Sequence, residues 1–213
     1  MNLSTDQRDA SEAIQSRDRR RSLSTTKLEA LARFILADSY VFAQDICNHR
    51  ELVPEIHAPI SYMACGLTDR LIETLDNPAF ESYVTRYLRH EFKVVRGLPP
   101  WGTPEGRAAI DDLLNGSIVR PAIINFRMSR RFFKSSTITH AGTLFIATND
   151  PNETIKITHA VDPKAWELCD QIAKTVLSGT YRDYFPERIP EGDLTKLVTM
   201  KKIALGGRTI SHP

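Results

Sequence analysis

Apolar positions in this chain recur first at helical spacing and only later at strand spacing, and that change organises the reading. From Thr25, the residues Leu28, Leu31, Phe34 and Ile35 share one face, with Thr25 or Thr26 as the N-cap. A second short helical segment runs through Val41, Phe42, Asp45 and Ile46. Pro54 then opens a long helical pattern carrying Ile56, Ile60, Met63, Ala64, Leu67, Leu71 and Ile72, which Asn77-Pro78 breaks. Phe80, Tyr83, Val84, Tyr87 and Leu88 mark a further helix as far as Glu91. After the Gly/Pro-rich run 97–104, Thr103 caps and Pro104 starts a helix through Ile110 and Leu114, ended by Asn115-Gly116.

Beyond residue 117 the pattern changes. Ala122, Ile123, Ile124 and Phe126 form an apolar run too short for a helix and rich in β-branched residues, so it reads as a buried strand entered at Pro121. A basic loop follows, and Ser135-Ser136 opens a helix with Ile138, Ala141 and Phe145 on one face. After the turn Asn149-Asp150-Pro151-Asn152, Ile155 and Ile157 alternate with polar residues as a second strand. Asp162-Pro163 caps a helix carrying Trp166, Cys169, Ala173 and Val176, with Gly179 as its stop. An irregular stretch from Tyr181 to Pro186 leads to a last strand over Ile203–Leu205 or on to Ile210. The order β-α-β-α-β with right-handed crossovers predicts parallel strands.

The domains expected are therefore a mobile basic or polar tail at 1–24, a helical region at 25–117 with a linker near 97–104, and an α/β unit at 118–213. The cluster from Arg17 to Arg21 could touch nucleic acid or a partner, although a solvated end is the plainer reading. A net charge of +2 carries no global nucleic-acid signature, so any basic surface must be local. Three widely spaced cysteines without a CxxC argue against a disulfide framework or zinc knuckle and fit a reducing cytosol. No apolar run is long enough to span a membrane, and the N-terminus lacks a signal-type apolar stretch; both point to a soluble intracellular protein.

The candidate chemistry lies between the first strand and its helix. Arg127, Arg130, Arg131 and Lys134 surround Phe132 and Phe133, and four like charges in eight residues repel unless an anion meets them. A strand turning sharply into a helix points unpaired N–H groups at the turn, which is an anion site. In a phosphate loop a lysine followed by a hydroxyl residue sets an ammonium on the β- and γ-phosphates and a hydroxyl on magnesium. Lys134-Ser135 fits that pattern, while Met128 and Phe133 stand where the loop's two glycines belong. No strand ending in a metal-organising carboxylate follows, and a three-strand parallel sheet would leave buried-type edges open, so the chain is expected to stop partway through a domain.

These features, in this order, resemble the N-terminal part of the large subunit of a tailed-phage or prophage terminase, the ATP-driven DNA-packaging motor. Val53-Pro54-Glu55-Ile56-His57-Ala58-Pro59-Ile60 is similar to that family's V-P-x-x-H-x-x-[IM] segment. Ser129-Arg130-Arg131-Phe132-Phe133-Lys134-Ser135-Ser136 stands where its deviant phosphate loop reads P/S-R-G-x-G-K-S-T. The stretch Asn149 to Ala160 resembles its N-P-N-x-x-I-x-I-x-x-A strand entry, and Tyr184-Phe185-Pro186 a segment after the next helix. The resemblance covers Ile35 to Pro213, more firmly Pro121 to Pro186; the departures are Arg131 and Phe133 at glycine positions and a long helical stretch after His57.

The resemblance implies an α/β fold in which the helical region precedes the first units of a P-loop NTPase parallel sheet, truncated here. It implies ATP and Mg2+ as cofactors. Lys134 would neutralise the β- and γ-phosphates, Ser135 would hold Mg2+ through its hydroxyl, and Arg130 would contact the γ-phosphate. Arg131, Phe132, Phe133 and Ser136 complete the implied ATP-binding loop. The implied partners are double-stranded DNA, the small terminase subunit and the portal protein, in an oligomer inside the cytoplasm of an infected or lysogenic bacterial host. Its second Asp-Glu motif and its nuclease domain would lie beyond Pro213, so this chain alone should hydrolyse little or no ATP. Two other readings compete: another P-loop phosphotransferase, and a helical adaptor whose basic loop binds nucleic acid without nucleotide.

Among single residues, His57 reads either as a neighbour of a nucleotide base or, more plainly, as a satisfied histidine in a helix interface. Tyr181, Tyr184 and Phe185 near Arg182 could stack on bases, but a packing plug under a helix end is favoured. Trp166 reads as core, and His140 and His159 do not make metal spacing on one element.

Overall fold

Capping and periodicity build the first half of the molecule as a run of short helices. The structure, a computed structural model, describes residues 25–116, 122–127, 133, 135–150, 155–158, 162–189, 202–205 and 208–211. The 1–24 tail lies outside the described residues. Helix α1 is Thr25–Leu36. It buries Ala32 and Ile35 but leaves Phe34 exposed, because Phe34 sits about 100° round from Ile35 on the helix circumference. Helix α2, Ser39–Asp45, is capped by Asp38, whose carboxylate accepts the Tyr40 and Val41 amides at 3.0 Å each. Pro54 occupies the first turn of α3, Pro54–Ala64, where its missing N–H is harmless.

The single long helix expected from Pro54 onwards is two. α3 ends at Cys65, and α4, Thr68–Asp76, starts afresh after Gly66. Gly66 has φ +67, and a Cβ there would lie 1.9 Å from Asn115 Oδ1, so the position takes no larger residue without displacing Asn115. The Asn115 side-chain amide in turn donates to the Gly66 carbonyl at 3.1 Å. Helix α5, Tyr83–His90, opens with a reciprocal capping box between Ser82 and Thr85 and runs into a wide π-turn over Glu91–Val95. α6, Pro104–Asn115, has Thr103 as its cap and buries Ile110 and Leu114, as the sequence predicts.

Ser135–Asn149 is continuously helical, but its first part, Ser135–Gly142, is π-helical; only α7, Thr143–Asn149, is α-helical. Strand β1 is Ile155–Lys156. α8, Asp162–Leu177, buries Ala165, Cys169, Ile172, Ala173 and Val176, while Trp166 is only partly buried. Gly179, expected as a stop, begins another helix: Ser178 caps α9, Gly179–Tyr184, through the Tyr181 amide. Tyr181 and Phe185 are fully buried and Tyr184 nearly so, which makes the stretch a packing plug and Arg182 its exposed neighbour.

Among the described residues the expected P-loop parallel sheet is not present. Residues 122–127 form no strand, and Ile123 is 87% exposed where a buried strand would hide it. The molecule is mostly helical. Its strand content among the described residues is β1, β2 (Lys202–Leu205) and β3 (Arg208–Ser211), in the order β1-β3-β2. β1 and β3 are parallel, with Ile155 opposite Ile210, but β2 and β3 are antiparallel, with Ile203 opposite Ile210. The physical reason is chain length. Only Gly206-Gly207 separates β2 from β3, enough for a hairpin and far too short for the dozen-residue crossover that parallel pairing needs.

One buried cluster includes residues from either side of position 117. Phe42 of α2 meets Phe145 of α7 edge-on at 5.5 Å between ring centroids and stacks on Phe185 at 6.0 Å. Ile35, Leu71, Ile110, Leu144 and Ile172 are buried in the same cluster.

Candidate functional site

Of the loop residues singled out from the sequence, Phe133, Ser135 and Ser136 are described, and Arg130, Arg131, Phe132 and Lys134 lie outside the described residues. Phe133 has φ +46. That left-handed conformation is the one for which a phosphate loop uses glycine, and it costs an L-residue of this size roughly 1–2 kcal/mol. Its ring is 39% exposed and meets the edge of His57 at 5.8 Å between centroids. His57 is buried on α3, and the Val53 amide donates to its Nδ1 at 2.8 Å. The V-P-E-I-H segment and Phe133, far apart in sequence, therefore meet through one ring pair.

Ser135 is exposed and Ser136 half-buried at the start of the helix. The Thr137 amide donates back to the Phe133 carbonyl at 2.8 Å, closing the first helical turn over Phe133. Ser135 and Ser136 lie in the first turn of this helix. Thr137 Oγ1 is buried without a hydrogen-bond partner among the described residues, so its capacity to donate and accept is unused by them.

Further along the same π-helical stretch, His140 begins a chain of contacts across the core. His49 Nε2 and His140 Nδ1 are 2.9 Å apart, and His140 Nε2 lies 2.9 Å from Thr175 Oγ1. Burial, with His49 adding to it, pulls the His140 pKa down to about 4. Burial also lowers His49, against the raising effect of Glu51 at 3.5 Å. Desolvation thus disfavours a charge on either ring, and the two meet in one ring-to-ring hydrogen bond. Among the described residues no group of three or more His, Cys, Asp or Glu side chains is arranged to hold a metal ion, and His159 lies outside them.

A cavity of about 700 Å3 opens against α3, the helix that carries His57. Ile60 and Met63 of α3, Tyr83, Val84, Tyr87 and Leu88 of α5, and residues 124–127, which precede the basic loop in sequence, line it. Sequence reasoning assigns Tyr83 and Tyr87 to a core face and Ile124 to Phe126 to a strand, and so misses the cavity. Its signal is nonetheless present: Val84 and Leu88 already supply an apolar stripe for α5, and the two tyrosines form a second stripe beside it.

No known protein family, no curated protein and no solved structure matches the chain.

Proposed function

We propose that this chain is the ATP-binding part of a viral DNA-packaging motor, a terminase large subunit, which in the full-length protein couples ATP hydrolysis to DNA translocation. The observation that carries the reading is the left-handed backbone at Phe133 next to Lys134, held against His57 of the V-P-x-x-H segment. A phenylalanine kept in a glycine conformation is strain, and strain of this kind gathers at ligand clamps.

The residues present suit a triphosphate and its magnesium ion. An exposed hydroxyl at Ser135 and a buried Thr137 hydroxyl without a partner among the described residues offer polar capacity beside the loop. Lys134 would take the β- and γ-phosphates, Ser135 would hold Mg2+, and Arg130 would meet the γ-phosphate, with Arg131, Phe132, Phe133 and Ser136 forming the rest of the loop. Bound Mg2+ supplies charge neutralisation at the phosphoryl group. Arginine suits the γ position because its planar charge does not titrate. Double-stranded DNA, the small subunit and the portal are the proposed partners, in the host cytoplasm; among the described residues no helix is long and apolar enough to cross a membrane.

Calorimetric titration with Mg·ATP tests this. The chain should bind, and Lys134→Ala should abolish binding; equal binding by the two would overturn the assignment. A second reading, a helical adaptor whose basic loop holds nucleic acid without nucleotide, is favoured by the mostly helical architecture. It predicts DNA binding that weakens steeply with salt and ignores ATP.

A further inference from the structure

We propose that the outer face of α5, with the cavity beside it, docks an acidic amphipathic helix of a partner protein. The docking face is independent of any nucleotide at the basic loop.

Two apolar faces on one helix are the first argument. Val84, Leu88 and Phe92 are buried and carry the share of α5 and its π-turn in the core. A helix on the surface of a folded chain needs only one such stripe. Tyr83, Tyr87 and Val94 nevertheless stand at i, i+4 and i+11 and form a second one, with Tyr87 62% and Val94 64% exposed. This second stripe runs for roughly 16 Å, about three helical turns. At its tyrosine end lies the cavity of about 700 Å3, which Ile60, Met63 and Leu88 also line. A groove with an apolar stripe beside it suits a helix that anchors itself through side chains at i, i+3 or i+4 and i+7.

Charge says what flanks those anchors. Arg86 and His90, at i+3 and i+7 from Tyr83, are exposed on the same side of the helix, and Arg127 lines the cavity. Arg86 meets Glu81 at 3.6 Å, but Arg89 pairs with the same residue, so one carboxylate serves two guanidinium groups. Glu91, the acidic residue within the stretch, is taken up by Arg96 at 3.0 Å. Arg127 is exposed and has no ion-pair partner among the described residues. The face is apolar along its length and positive beside it, the complement of an apolar stripe edged with Asp and Glu.

Aliphatic groups decide between a protein and a nucleic acid. Single-stranded nucleic acid takes a positively charged groove with aromatic platforms for its bases. Val94 on the surface, and Ile60, Met63 and Leu88 in the cavity, offer neither charge nor a stacking plane, whereas they match leucine-type side chains.

A displayed library of helical peptides, selected on the full chain, supplies the probe. The enriched peptides should be acidic, with apolar residues at helical spacing, and should bind less tightly as salt rises. Tyr87→Ala and Arg86→Glu should each weaken them on the order of tenfold. Exchanging Glu for Lys in the peptide should restore binding to Arg86→Glu, a rescue that mere damage to the fold would not allow. Should Tyr87→Ala fail to fold on thermal unfolding, Arg86→Glu and the exchanged peptide decide alone. No enrichment, enrichment of basic peptides, or binding indifferent to both substitutions overturns the proposal. So does a single-stranded DNA oligonucleotide that binds and depends on Tyr87, or a dimer of this chain that Val94→Asp abolishes, since either puts a different occupant on the face.

Discussion

Two polar clusters in this molecule are built on opposite plans. Around Asp38 everything is closed: its carboxylate accepts the Tyr40 and Val41 amides and the Tyr62 hydroxyl, while Ser61 donates to Ser39 and Tyr40 to the Leu52 carbonyl. Burial next to Asp38 pushes the Tyr62 hydroxyl pKa up strongly and that of Tyr40 up to about 12, so both remain donors. Phe133 has a left-handed backbone, and within the next four residues a buried hydroxyl lacks a partner among the described residues and a serine faces solvent. A closed network specifies structure, because each member is costly to remove. An open one keeps capacity for a ligand.

Four measurements put that contrast at risk. Asp38→Ala should have the largest effect, about 3 kcal/mol of stability lost by urea unfolding. The missing cap accounts for roughly 1 kcal/mol and the stranded Tyr62 hydroxyl for about 1–3 kcal/mol. A loss below about 1 kcal/mol would mean the knot is not closed as described.

Acid comes next, through the His49–His140 pair. His140 has a folded pKa near 4 against 6.5 in the unfolded chain, so the unfolded state binds more protons between those values. Stability should therefore be full above about pH 7, fall as the pH drops through that window, and level off below about pH 4, by about 3 kcal/mol at most. His140→Gln should flatten this slope in urea titrations at several pH values; an unaltered slope would place its origin elsewhere.

A smaller effect, with an unusual sign, is expected at Phe133. At ordinary φ, alanine is more stable than glycine; at φ +46, Phe133→Gly should be more stable than Phe133→Ala by roughly 1 kcal/mol, because glycine relieves the strain. Thermal unfolding of the two variants decides the sign. Smallest of all, Thr137→Val should shift stability by no more than about 0.5 kcal/mol, and toward greater stability, since it removes a buried hydroxyl that has no partner among the described residues. A clear loss on calorimetric unfolding would show that the hydroxyl is satisfied.

How legible is this in the sequence? Helices whose ends carry side-chain or proline signals can be read closely: Pro54, Thr103-Pro104 and Asn115-Gly116 all mark real ends. The break at Gly66 cannot, since the apolar period continues through it and its cause is Asn115, forty-nine residues away. Asp38 does not stand out although it caps α2, because its burial depends on Tyr62 in another helix. In the candidate site, Lys134-Ser135 can be picked out by spacing alone. The Phe133–His57 contact, the His49–His140 bridge and the tyrosine-lined cavity cannot, for each joins elements distant along the chain.

What the order of residues settles is local: where helices begin, which stripe of each is apolar, and where positive charge collects. Those depend on neighbours within a turn or two of the backbone. Packing was needed to show that residues 122–127 are no strand and that β2 pairs back on β3, because a strand exists only where a partner accepts its hydrogen bonds. It was needed, too, to separate the aromatic residues of the core from those that line a cavity, since an apolar stripe becomes buried only when another element arrives to cover it.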